Sequence, residues 1–163
     1  MSNRRQARKQ VMKALYAREL AGGQPEHFIH TLIEPDLEGD ASNLDFATKL
    51  FRRTVDRQAE IDRIVSAHAE NWDLDRIAAV DRSLLRMATC ELLTFEEVPP
   101  KVSIDEAIEI AKQYSTEKSS NFINGILDSI LMKLQREGRL QKKGRGLIGM
   151  ESIRERANSA SSQ

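Results

Sequence analysis

Cysteine is almost missing from this chain: Cys90 stands alone, so no intrachain disulfide can form and a reducing compartment is the default. No apolar run approaches the length of a membrane span, and the basic N-terminus is followed by no apolar stretch of signal-peptide length. A cytoplasmic, membrane-free protein is therefore expected. No Val/Ile/Thr-rich alternating run occurs either, which excludes strands and leaves an all-α reading. Catalytic and metal signatures are equally thin. His27 and His30 sit at i, i+3, yet only His68 and Cys90 remain to complete a nitrogen–sulfur site, and neither lies at ligand spacing, so no metal is expected. There is no nucleophile elbow and no Gly-rich strand-to-helix turn. The expectation is a non-enzyme without a cofactor. Aromatics are scarce at 5%, but hydrophobic residues reach 40%, enough for a core and too many for general disorder.

Net charge is also missing, with 25 basic residues against 25 acidic ones over 163 residues. Its distribution is uneven. Residues 1–20 hold six basic groups against Glu19 alone, and residues 21–51 hold six acidic groups against Lys49. Such asymmetry implies an oriented electrostatic surface.

Helical periodicity accounts for most of the chain. RRQARKQVMKALYAREL reads as a helix stopped by Gly22-Gly23, and PEHFIHTLIE as a short second one. After the acidic loop PDLEGDASN, Asn43 is an expected N-cap for a long helix running to about Glu70. NWDLD breaks the pattern, with Trp72 expected as a core plug. A further helix covers about Arg76 to Phe95, with Cys90 a small core residue, until VPPK ends it. Ser103 and Glu106 match an S-x-x-E capping box for the next helix. The last helix runs from near Ser119 to Glu137, and the basic, glycine-broken remainder reads as disordered. This gives one domain over 1–137, with halves at about 1–71 and 72–137, and a tail over 138–163.

Two helix faces stand out. In SSNFINGILDSIL, the buried stripe is Ile123, Ile126, Leu127 and Ile130, continued by Leu134. Phe122 lies about 100° from its centre, at the core edge or outside it. Gly125 costs about 1 kcal/mol relative to alanine in a helix, and close approach of another backbone is the expected compensation. On the first helix, Arg5, Arg8, Lys9 and Lys13 share an arc with Tyr16. Cations for phosphates beside a ring for a base suit RNA; a solvated charged face is the plainer alternative.

Three segments, in order, resemble the NusB family of bacterial transcription antitermination factors. These are the arginine-rich start with its A-L-Y element, IAAVDRSLLRMATCELL, and VPPKVSIDEAIEIAKQYSTEKSSNFINGIL. The resemblance implies an all-α NusB-like fold of six to seven helices in two three-helix-bundle-like halves. It also implies pairing with the small ribosomal protein NusE, binding of boxA RNA in ribosomal RNA operon leaders, and action on elongating RNA polymerase through other Nus factors. It assigns Arg4, Arg5, Arg8 and Phe122 to the RNA surface, to which the basic face of the first helix adds Lys9. Tyr16 and Asp81 go to the side that meets the ribosomal protein.

Two positions depart from the family pattern. Lys118 stands where an acidic residue is common and is expected to add phosphate attraction; Gln6 replaces a frequent basic residue. Two other functions compete: the NusB-like module of an rRNA cytosine methyltransferase, if the chain is a fragment, or a dimeric adaptor that buries its basic helix.

Overall fold

The computed structural model describes residues 3–69 and 73–161, and among these it has eight α-helices and no strand. The helices are α1 (Arg4–Ala21), α2 (Pro25–Phe28), α3 (Ala41–Asp56), α4 (Gln58–His68), α5 (Ala79–Thr94), α6 (Pro100–Tyr114), α7 (Glu117–Arg136) and α8 (Met150–Ser161). Trp72 and the midpoint of the expected halves lie outside the described residues.

Local chemistry sets most boundaries. Asn3 caps α1 by accepting from the Gln6 amide at 2.9 Å, and Gly22 ends it at φ 70°, where a Cβ would be strained. α2 continues into a π-helical turn over Ile29–Ile33. Asp40, not Asn43, caps α3: its Oδ1 accepts from the Asn43 amide at 3.2 Å. The single long helix expected after it is two, because Arg57 leaves helical geometry at φ −103°, ψ 13°. A 3₁₀ turn over Leu74–Arg76 precedes α5.

The capping box at Ser103 is not formed. α6 starts four residues earlier, at Pro100, with Pro99 as its cap residue; proline suits a first turn because its missing N–H has no helical partner there. Ser103 and Glu106 are thereby freed for tertiary contacts.

α5 is the axis of the molecule. It touches α1, α3, α4, α6 and α7, and every residue from Ser83 to Leu92 is buried. A helix enclosed on all sides must be apolar all round, which Leu84, Leu85, Met87, Ala88, Cys90 and Leu92 supply. Its buried polar groups need partners. Ser83 Oγ donates to the Ala79 carbonyl at 2.8 Å, and Arg86 Nε donates to Asp62 at 2.7 Å. Burial pushes the Cys90 thiol pKa up, as befits an inert core residue.

The described part of the tail, up to Ser161, is ordered rather than disordered, and this gives the helix beyond the expected six or seven. Leu140, Met150, Ile153 and Ala157 are buried, α8 packs on α7, and Arg156 Nη2 bonds Asp128 at 2.7 Å. An apolar residue every third or fourth position suffices to hold α8 down, although its surroundings in sequence are polar.

Candidate nucleic-acid interface

α1 brings its arginines to one end of the molecule, but in three different situations. Arg4 is exposed. Its Nη1 donates to Asn43 Oδ1 at 2.6 Å and the Ser42 carbonyl at 3.0 Å, with its guanidinium 4.6 Å from the centre of the Phe46 ring. Arg5 is also exposed and grips Glu106 with two donors, at 2.7 and 3.1 Å. That hydrogen bond, and then the opposite charge, raises the Arg5 pKa and lowers that of Glu106.

Arg8 is buried, at 2% exposure, which removes it from the surface position expected for it. Its Nε and Nη2 donate to Glu91 at 2.9 and 2.8 Å, and Ser103 Oγ donates to the same carboxylate at 3.0 Å. Burial works to lower the Arg8 pKa, but the charge and hydrogen bonds of Glu91 more than offset it. The guanidinium lies 5.0 Å from the Phe46 ring centre, so that ring is flanked by Arg4 and Arg8. Arg8 supports the surface from beneath.

Lys9 is half-buried on the next part of α1, with no hydrogen bond or ion pair among the described residues. The Arg5–Glu106 pair and a Lys13–Tyr114 contact, 5.7 Å to the ring centre, lie eight residues apart on both helices. α1 and α6 thus run side by side in the same direction, over about 12 Å between the two contacts. The end of α6 leads directly to α7, where Thr116 caps the helix by accepting from the Ser119 amide at 3.0 Å.

Lys118 is exposed on the first turn of α7, and Phe122 follows one turn later, half-buried against the core edge. The wheel placed Phe122 there correctly. Gly125 differs from expectation: a Cβ there would meet nothing within 4 Å, so no neighbouring backbone requires the glycine. Asn121, Asn124 and Gly125 are all exposed, leaving an open polar shelf beside the ring.

An open groove of about 1340 Å³ runs from the start of α1 past α3 and the turn after α5. Seven basic and four acidic side chains line it, with Phe46 and Phe95 among its apolar residues. Lys118 and Phe122 are not part of this groove. A smaller hollow of about 430 Å³ between α4 and α7 is also charged, and several of its groups pair with one another, as in Arg139–Glu60 at 2.7 Å and Lys133–Glu137 at 3.9 Å.

On the opposite end of α1, Tyr16 is 36% exposed. Asp81 is not: at 4% exposure it sits in the first turn of α5, where a helix N-terminus favours negative charge. Its Oδ1 has no hydrogen-bond partner among the described residues. Glu19 bonds Arg82 at 2.7 Å, which brings the neighbourhoods of Tyr16 and Asp81 to the same end of the α1–α5 pair. Sequence reasoning missed Glu91 and Glu106 as partners of the arginines. A lone glutamate in the apolar run TCELL was the available signal for Glu91.

The described residues form an all-helical, strand-free fold with a charged groove at the start of its first helix, which places the protein in the all-α class. The NusB family model matches residues 5–132, and the chain belongs to the NusB family. The transcription antitermination protein NusB of Salinibacter ruber is 59% identical over 160 residues, covering 98% of this chain and all of that protein. Among solved structures, T. maritima NusB is 39% identical with a TM-score of 0.73, over 79% of this chain and 90% of that one. A crystal structure of the antitermination factors NusB and NusE in complex with double-stranded RNA is 28% identical with a TM-score of 0.72, over 78% and 94%. Among the described residues, no helix is long and apolar enough to cross a membrane, and no group of three His, Cys, Asp or Glu residues is placed to hold a metal ion.

Proposed function

We propose that the protein is a non-catalytic transcription antitermination factor. It binds boxA-type single-stranded RNA of ribosomal RNA leaders together with the small ribosomal protein NusE, and acts on elongating RNA polymerase through other Nus factors. The observation that carries this reading is the exposed Arg4 and Arg5 at the mouth of a basic groove, in a chain 59% identical to an antitermination protein. A relative crystallised with NusE and RNA supports both partners.

In this reading Arg4, Arg5, Lys9 and Lys118 meet phosphates and Phe122 offers a face to a base. Tyr16 meets the ribosomal protein, and Asp81 supports that end from within. The fold is read as two three-helix-bundle-like halves, about 1–71 and 72–137.

Fluorescence anisotropy with a boxA-like RNA, a scrambled strand and an RNA duplex, with and without NusE and at several salt concentrations, tests it. The expected result is a preference for boxA that NusE strengthens, with a salt slope near −2.8, or about −0.7 for each of four single-strand contacts. Phe122→Ala should then weaken binding by about 1–3 kcal/mol. Equal binding to all three RNAs would refute the boxA assignment, and no binding in the presence of NusE would refute the RNA function.

A further inference from the structure

Residues 139–148 return from the end of α7 and lie against the turn that follows α5. Lys142 Nζ donates to the carbonyls of Phe95 at 2.8 Å and Glu91 at 3.3 Å, satisfying acceptors that the end of α5 leaves open. The Lys143 amide donates to the Glu96 carbonyl at 3.0 Å, and Lys143 Nζ pairs with the Glu96 carboxylate at 3.2 Å. Gly146 is pressed so closely onto this turn that a Cβ would lie 1.9 Å from the Glu96 carbonyl oxygen. The segment is thus seated by specific contacts, and they set Lys143, Arg145 and Ile148 into the wall of the groove that holds Arg4 and Arg5.

Arg145 differs from the other cations there. Arg4 is bound to Asn43, Arg5 to Glu106, Lys49 to Asp45 and Arg53 to the Thr94 carbonyl. Arg145 is exposed and, among the described residues, has no ion pair or hydrogen bond from its side chain. Beside it Ile148 is 62% exposed, an apolar surface next to a free guanidinium. The family model stops at residue 132, so the family match gives this segment no role. The Salinibacter ruber match of 160 residues necessarily takes it in.

Resting on the RNA-binding reading above, we propose that residues 139–148 extend the RNA surface. Arg145 binds a phosphate of single-stranded RNA running on from Arg4 and Arg5, and Lys143 binds a neighbouring phosphate that displaces Glu96. The groove's length, rather than its affinity for a short core element, is what the segment adds. RNA reaching past the core element gains contacts that depend on charge and not on base identity.

The test uses the full chain, a short boxA-type RNA and the same RNA extended at both ends, titrated across salt. Arg145→Ala should leave the short RNA unchanged and weaken the extended one roughly three- to tenfold, with the salt slope smaller by about 0.7 for the lost contact. Lys143→Ala with Arg145→Ala should lose about twice that slope. Gly146→Ala, which forces the segment off its seat, should behave like Arg145→Ala on the extended RNA. If the parent binds the extended RNA and the double variant matches it in affinity and slope, this proposal falls while the RNA function stands. A folded Gly146→Ala protein that binds like the parent also overturns it, because the seat would not be what positions Arg145. A parent that binds neither RNA overturns both.

Discussion

Arg8 and Arg5 are three residues apart on one helix, yet removal of each should have opposite consequences. Arg8 is sealed against Glu91 and Ser103, so Arg8→Ala leaves a buried, unpaired carboxylate. Such truncations cost about 3–5 kcal/mol, and urea denaturation should show a midpoint lowered accordingly. Arg5 is at the surface, where an ion pair contributes about 0–1 kcal/mol. A phosphate competing for Arg5 must displace Glu106, so Glu106→Gln should tighten RNA binding, by up to about fivefold on that scale, with unchanged stability. Weaker binding in an anisotropy titration would mean that Glu106 holds Arg5 in the competent geometry instead of withholding it. The burial of Arg8 was not legible from spacing, because a helical wheel places a residue on a face without saying what packs there. Phe122 was legible for the same reason: its angle from the stripe of Ile123, Ile126 and Leu127 was the whole question.

At the scale of elements, periodicity located the bodies of the helices, and short-range chemistry that the wheel does not see moved their ends. Pro99-Pro100 opened α6 early and released Ser103 into the core; Arg57 split one expected helix into two. The tail was misjudged because its four buried apolar side chains are spread thinly among polar ones. The attachment of that tail carries a pH dependence. Burial drives the Lys142 pKa down to about 8, against the opposing charges of Glu91 and Glu96, while an unfolded lysine titrates near 10.4. Between those values the unfolded chain binds more protons, so stability rises with pH. The burial penalty is fully present below about pH 8 and is relieved as pH climbs towards 10.4. The stability difference between the parent and Lys142→Met should therefore shift in the parent's favour from pH 7.5 to 10, measured by urea unfolding at each pH. A pH-independent difference would mean that the two carbonyl hydrogen bonds, not burial, govern that ammonium.

For the whole molecule, zero net charge conceals a separation of sign: the first 20 residues are basic and the next stretch acidic. The fold brings the two stretches together, since α3 packs on α1 and Asp45 lines the groove of Arg4 and Arg5, so the field is local and no global charge attracts partners indiscriminately. The enclosure of α5 has another consequence, for how the structure comes apart. Every long helix before α8 rests on that one cylinder, so neither end can open and leave the other with a sealed interior. Unfolding should be a single step with coincident transitions by circular dichroism and by solution NMR. In native-state hydrogen exchange the amides of residues 83–92 should be the last to exchange, by the global route alone. Early exchange there would mean that the two ends breathe separately. A protein whose surfaces hold two partners at once would, on this account, transmit strain between them through a rod that has no freedom to yield.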